Sequence, residues 1–125
     1  MAMTNKVLSI SLPVADQDRA IAFYTEVLGF EVLIDTEIWP GARLVQVAPP
    51  GSAVAITLLP PGSDIPLAVR MQTDDAAAAH ARVQASGVRV HNQEVVTMDG
   101  VPPMFFFEDP DGNGLVYLER EPGDD

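Results

Sequence analysis

The sequence predicts an α+β fold made of two βαβββ modules. Three observations carry that expectation. Residues Val7 to Pro13 alternate, with Leu8, Ile10 and Leu12 apolar and Ser9 and Ser11 small and polar. A period of two belongs to a strand whose two faces meet different surroundings. Ala20, Ile21, Phe23, Tyr24, Val27 and Leu28 then recur at helical spacing, the stripe of a helix with one buried side. Finally, Asp16, Gly29 and Val32 are matched 58 residues later by Asp74, Gly87 and Val90, the spacing that a duplicated module leaves behind.

Taken in order, the first strand ends at Pro13, which has no N–H for a ladder. Asp16 is placed to cap the first helix. Gly29 falls where a helix needs a residue free to take φ > 0. A strand follows from Phe30 to about Thr36, and a loop carries Trp39, Pro40 and Gly41. A third strand covers Arg43 to Ala48, and after a Pro49-Pro50 turn a fourth covers Ala53 to Leu59. Pro60 to Asp64 is the only internal linker. Pro66 to Gln72 then reads as a strand, Asp74 as a second cap, Asp75 to Ser86 as an alanine-rich helix and Gly87 as its terminating glycine. Strands near Val88 to Val95, Met104 to Glu108 and Asn113 to Arg120 complete the second half, with Pro102-Pro103 read as turn punctuation. The expected organisation is one domain over residues 1–125, with module one at about 6–60 and module two at about 65–120.

Size and charge bound the function. A chain of 125 residues can bury a proper core. It has no cysteine, so disulfides and thiolate metal sites are excluded. No apolar run approaches the ~20 residues of a membrane span, and the first residues lack a signal-peptide pattern; a cytoplasmic location with no membrane partner is expected. Eighteen acidic residues against seven basic give a net charge of −11. Phosphate repulsion makes a nucleic-acid partner unexpected, while the acidic field favours encounter with cationic ligands.

Alternation assigns faces. Leu8, Ile10, Leu12, Val54, Ile56 and Leu58 are expected to pack under the first helix, leaving Ser9, Ser11, Ala55, Thr57 and Leu59 on the other face. In the second half Leu67, Val69, Met71, Leu115 and Tyr117 are expected toward the helix, with Ala68, Arg70, Gln72, Val116 and Leu118 away from it. A strict 58-residue offset would swap the faces of the fifth strand, because a one-residue slip moves every side chain across. The alanines of the second helix bury little area each, so it packs close to its sheet or faces a partner; a homodimer is the expected assembly. His80, inside that helix, reads as a surface or interface residue.

Two segments, Phe23-Tyr24-Thr25-Glu26-Val27-Leu28-Gly29-Phe30-Glu31-Val32 and Glu108-Asp109-Pro110-Asp111-Gly112-Asn113-Gly114, mark the same two junctions: a helix running into a strand, and a tight turn before the last strand. Together they resemble the vicinal oxygen chelate superfamily, which includes glyoxalase I, extradiol dioxygenases, fosfomycin-inactivating enzymes and bleomycin-binding proteins. The resemblance runs from about Val7 to Arg120. It implies that the modules pair into an open, cup-shaped, mixed eight-stranded sheet with helices on the outer face. Metal-using members place His, Gln or Glu ligands on the first, fourth, fifth and eighth strands. At those positions this chain has Ser9, Thr57, Ala68 and Val116, which are poor donors or none for a divalent ion. No metal and no cofactor are therefore expected.

What remains is a binding site of apolar groups with a few polar ones. Trp39, Gln46, Thr57, Arg70, His91, Met104 and Phe106 are the candidate ligand-binding residues. No residue is assigned as catalytic. The resemblance implies a metal-independent small-molecule-binding protein, of the kind that sequesters drug-like or metabolite ligands. The alternative is a divergent lyase, isomerase or oxygenase with a shifted or metal-free site, for which His91, Glu94 and Glu108 are the candidates. Asp109-Pro110-Asp111-Gly112 lacks the spaced acids of a calcium loop and reads as a tight turn with glycine at the positive-φ position.

Overall fold

A computed structural model describes residues 3–121. Its elements are β1 (Thr4–Pro13), α1 (Gln17–Ala22, continued by a π turn over Phe23–Val27), β2 (Glu31–Trp39), β3 (Ala42–Ala48), β4 (Ala55–Leu59), β5 (Val69–Thr73), α2 (Ala76–Ala85), β6 (Val96–Met98), β7 (Val101–Glu108) and β8 (Gly114–Glu119). The strands hydrogen-bond in the order β2-β3-β4-β1-β5-β8-β7-β6. The β1·β4 and β5·β8 pairs are parallel, whereas β2·β3, β3·β4, β6·β7 and β7·β8 are antiparallel. The result is a mixed, open, eight-stranded sheet with two helices, the expected α+β class. Among the described residues no helix is long and apolar enough to cross a membrane. Pro122 to Asp125 lie outside the described residues.

The chain forms two compact units, one of Ser9–Leu67 and one that joins the residues up to Leu8 with those from Ala68 onward. In the first unit Asp16 caps α1 as expected, its side chain accepting from Arg19 N at 3.1 Å. Ala20, Ile21, Tyr24 and Ile56 pack against Val45, Val47 and Leu58, so β4 turns its predicted apolar face toward the helix and β3 lies beside it. Ile10 and Leu12 pair with Ile56 and Leu58 and so share that face, but they stay 42% and 37% exposed. The helix lies over β3 and β4 and leaves β1 open, which corrects the expectation that these residues pack beneath it. β2 runs three residues further than expected. Trp39 is its last residue, opposite Ala42, with Pro40-Gly41 as a two-residue turn and Gly41 at φ +85°.

In the second unit the helix cap is Asp75 rather than Asp74; its side chain accepts from Ala78 N at 3.0 Å. α2 buries Ala76, Ala79, His80 and Val83, one turn-spaced stripe whose small residues bring the helix against Phe105, Phe107 and Tyr117. His80 is thus a core residue and not a surface one. Its Nε2 donates to the Asn92 carbonyl at 2.7 Å, and its ring stands edge-on to Phe105. Val69 and Met71 pair with Leu115 and Tyr117, and Met71, Leu115 and Tyr117 join the helix-side cluster; the fifth strand keeps the predicted faces. Leu67 does not join that core and is 45% exposed. The sixth strand is displaced: Val88 to Val95 holds one isolated bridge, Val90 to Phe107, and β6 proper is a short hairpin arm ending at the Asp99-Gly100 turn. Pro102 and Pro103 lie inside β7, not in a turn. The β8 ladder begins only at Met104, so their missing N–H groups leave no β8 partner unpaired.

Candidate functional site

The predicted site residues divide between the units. Trp39, Gln46 and Thr57 belong to Ser9–Leu67, whereas Arg70, His91, Met104 and Phe106 belong to the other unit.

In the first unit the face away from α1 carries Ala42, Leu44, Gln46, Thr57 and Leu59. Gln46 and Thr57 are direct partners in the β3·β4 register, and Gln46 Nε2 donates to Thr57 Oγ1 at 3.1 Å. Thr57 is completely buried, so it steadies Gln46, and Gln46 alone of the pair reaches the surface. Trp39 pairs with Ala42, which packs with Leu44, Leu59 and Ile65; its ring is 45% exposed. Ser9 pairs with Ala55 on this face. Its hydroxyl is buried and has no hydrogen-bond partner among the described residues.

The second unit carries the denser chemistry. Arg70 pairs with Val116, and Val116 with Phe106. His91 N donates to Phe106 O at 2.8 Å while Val90 bridges Phe107, so His91 takes the next place in the same row. Val90 and Phe107 face the helix cluster; alternation therefore puts His91 and Phe106 on the opposite face. The neighbouring row is Gln72, Leu118 and Met104. At four strands with ~4.8 Å between neighbours, the backbones of Arg70 and His91 stand ~14 Å apart. Between them lies an apolar floor of the half-buried Phe106, Leu118 and Met104, while Val116 is 1% exposed and supports it from within the sheet. Arg70 makes protein contacts of its own, and burial pulls its guanidinium below its ordinary pKa; it remains a cation throughout the physiological range.

Glu108 closes the other end. His91 Nε2 lies 2.8 Å from its carboxylate and Arg89 Nε 3.7 Å. The turn that follows holds it in place. Asp109 accepts from Asp111 N, Asn113 N and Asn113 Nδ2, each at 2.9 Å, and Gly112 sits at φ +87°. Those bonds, led by the Asn113 side chain, hold the Asp109 carboxyl below its usual range. This is the tight turn expected from the sequence. Asn92 fixes the His91 segment from both sides: its carbonyl accepts from His80 and its side-chain oxygen from Phe106 N at 2.8 Å. Of the three groups considered for acid–base chemistry, His91 and Glu108 meet, while Glu94 is exposed and outside that pair. Arg89 was not singled out from the sequence; standing two residues before His91, it shares that face by alternation.

The donor set does not fit a divalent cation. The first unit offers the hydroxyls of Ser9 and Thr57 at the ligand positions of metal-using relatives, and Thr57 Oγ1 already accepts from Gln46. In the second unit Ala68 and Val116 have no donor atom. Among the described residues no three His, Cys, Asp or Glu side chains come close enough to hold a metal ion.

A family model described as the Glyoxalase/Bleomycin resistance protein/Dioxygenase superfamily matches residues 6–117. The chain is 26% identical over 124 residues to the uncharacterized protein YetH of Bacillus subtilis (strain 168), a match that covers 95% of this chain and 100% of that protein. Among solved structures, methylmalonyl-CoA epimerase from Mycobacterium tuberculosis is similar with a TM-score of 0.76 at 25% identity, covering 97% of this chain and 91% of that one. A variant methylmalonyl-CoA epimerase of Streptomyces coelicolor in complex with 2-nitronate-propionyl-CoA gives a TM-score of 0.75 at 22% identity, covering 98% and 99%; at that identity the likeness is one of fold.

Proposed function

We propose that this chain, which belongs to the Glyoxalase/Bleomycin resistance protein/Dioxygenase superfamily, is a metal-independent binder of small organic molecules. The observation that carries this reading is the row Arg70, Val116, Phe106, His91 on the face away from α2. An apolar floor with polar groups at its ends holds a planar ligand by burial and orients it by hydrogen bonds. Arg70 supplies a charged donor for an anionic group. Hydroxyl and aliphatic side chains where metal-using relatives keep ligands support a role without a metal. Gln46 and Trp39 are proposed as further ligand contacts on the first unit.

The test is a thermal-shift screen of planar aromatic acids, run on protein prepared with and without chelator. Binding should be indifferent to chelation, and Phe106→Ala should weaken a hit by about 1–3 kcal/mol, the burial value of one large side chain. Loss of binding in chelator, or full affinity in Phe106→Ala, would count against the reading.

One observation favours a second reading, that of a metal-free enzyme: His91 and Glu108 are within hydrogen-bond distance at 2.8 Å, the arrangement of an imidazole base oriented by a carboxylate. The likeness to methylmalonyl-CoA epimerase places an isomerase among the classes to try. Turnover of a carbon acid that disappears in His91→Gln would establish it.

A homodimer belongs to the same proposal. Its support comes from the first unit rather than from α2. Ten of the eleven large apolar side chains exposed among the described residues fall within Ser9–Leu67, including Phe23, Val27 and Leu28 after α1 and Val32, Leu33 and Ile38 on β2. Exposed apolar side chains concentrated in one unit support an interaction surface there.

A further inference from the structure

From the row of side chains on the second unit we infer a ligand class: a molecule with an anionic group at one end, a protonated amine at the other and a flat apolar body between them. The inference rests on the binding reading proposed above and names what that site takes.

Arg70 and Glu108 lie on the same face. Arg70 is two strands from β7, and Glu108 is two residues beyond Phe106, the partner of Val116. Two spacings of ~4.8 Å across and two residues of ~3.3 Å along put their backbones ~12 Å apart. Side chains stand roughly perpendicular to a sheet, so guanidinium and carboxylate flank the apolar floor without meeting across it. The structure gives Glu108 an ion partner in Arg89 and a hydrogen-bond-distance contact with His91 Nε2. Arg70 keeps protein contacts of its own, and a ligand carboxylate would share its guanidinium, which has five N–H donors, with them.

The Glu108 end is built for exchange. Glu108 is 24% exposed, whereas Arg89 is 75% exposed and 3.7 Å away. An ion pair with so exposed a partner contributes little. A ligand ammonium that reaches Glu108 replaces a long, solvated side chain with a better-buried contact, and His91 remains as a neighbouring hydrogen-bond partner. A single ligand carrying both signs also reconciles the two charge signals in the chain. The net charge of −11 draws the amine during encounter, and Arg70 selects the anionic group at contact, because screening confines the overall field to ~8 Å at physiological salt.

The experiment is isothermal titration calorimetry of the full chain with three probes: 4′-(aminomethyl)biphenyl-4-carboxylic acid, biphenyl-4-carboxylic acid and 4-(aminomethyl)biphenyl. The bifunctional probe should bind at least tenfold tighter than either relative. Arg70→Gln should erase the gain from the carboxylate alone, and Glu108→Gln the gain from the amine alone. Arg89→Gln should tighten both amine probes about twofold, since so exposed a pair competes only weakly for Glu108, and it carries the test if Glu108→Gln fails to fold. If the biphenyl acid binds in a Phe106-dependent way and the amine adds nothing, or Arg89→Gln leaves the amine probes unchanged, the inference is overturned while the binding reading stands. If none of the three probes binds the folded wild-type chain, both fall.

Discussion

Ser9→Ala should stabilise this protein. Ser9 is 1% exposed, and its hydroxyl is the one buried side-chain polar atom without a partner among the described residues. Leaving such a group unpaired costs about 1–3 kcal/mol, because water has been lost and nothing replaces it. Alanine removes the oxygen and keeps the β-carbon that packs beside Ala55, its β4 partner. The void left behind is about the size of one oxygen; at ~24 cal/mol per Å³ it returns only about 0.3 kcal/mol of cost. The net gain is therefore about 0.7–2.7 kcal/mol. A chain of 125 residues has an unfolding entropy of roughly 260 cal/mol/K at about 2.1 cal/mol/K per residue, so Tm should rise by about 3–10 °C. Differential scanning calorimetry of the two proteins in the same buffer reads it directly. A fall in Tm of similar size would refute the reasoning, since it would mean that the hydroxyl has a bound partner, such as an ordered water, that alanine cannot keep.

Three further outcomes are expected. Asp75→Ala removes the carboxylate that accepts from Ala78 N and should lower stability by about 0.5–2 kcal/mol, read as a shift of the urea midpoint, whereas Asp74→Ala should lower it less. Asp35 is held below its ordinary 3.8, first by its hydrogen bond to Arg43; a depressed carboxyl gives stability that is present above the unfolded value and lost as pH falls through the folded one, so the deficit of Asp35→Asn against wild type should be constant above pH 3.8, shrink below it, and be contradicted if it persists at the most acid pH where the protein still folds. Sedimentation at micromolar concentration should show a dimer, and Val27→Glu together with Leu28→Lys should shift it toward monomer; an unchanged distribution would remove that stretch from the interface.

The fold was legible wherever a period or a cap decided it. Strand parity placed Ile56 and Leu58 under α1, and Leu115 and Tyr117 under α2, because each face meets a different environment and a slip would bury the wrong set. Legibility stopped where the outcome depended on coverage. Alternation put Ile10 and Leu12 on the helix side, but whether a helix lies over them is a matter of where α1 crosses the sheet, which no local pattern encodes. Likewise Pro102-Pro103 reads as a break until the ladder is known to begin at Met104. For the site, parity brought Arg70, Phe106 and Met104 to one face of the second unit; the pairing of His91 with Glu108 depended on the Val90 bridge to Phe107, a tertiary contact. His80 was misjudged because a lone histidine among alanines looks solvated, and its partner, the Asn92 carbonyl, is a backbone group invisible in the sequence.

The repeat spacing contains a further structural event. The strand pairs Ile10↔Ile56 and Val69↔Leu115 correspond at an offset of 59, as do the two observed caps, Asp16 and Asp75. The terminating glycines, Gly29 at φ +75° and Gly87 at φ +90°, correspond at 58. The first helix therefore holds one residue more than the second between cap and glycine. It accommodates that residue in the π turn over Phe23–Val27, where Leu28 N reaches back to Phe23 O at 3.3 Å; an i→i+5 turn carries one extra residue without lengthening the helix. Deleting Thr25 should let this segment close as an ordinary α-helix with the Asp16 cap and the Gly29 turn both in place. The hydrogen bond from Thr25 Oγ1 to Ile21 O is lost with it, at about 0.5–1.5 kcal/mol, and the Gly29 N–H, which donates to the Thr25 carbonyl at 3.2 Å, passes to the carbonyl that takes its place in the regular helix. Deleting Ala81 from α2, which has no π turn to absorb the change, rotates the helix beyond that point by about 100° and drives Val83 out of its contact with Phe105 and Phe107. Thermal melts of the two deletions decide it: Thr25 deletion should leave a cooperative transition close to wild type and Ala81 deletion should not, and equal damage from both would mean that the π turn is not the site of the extra residue.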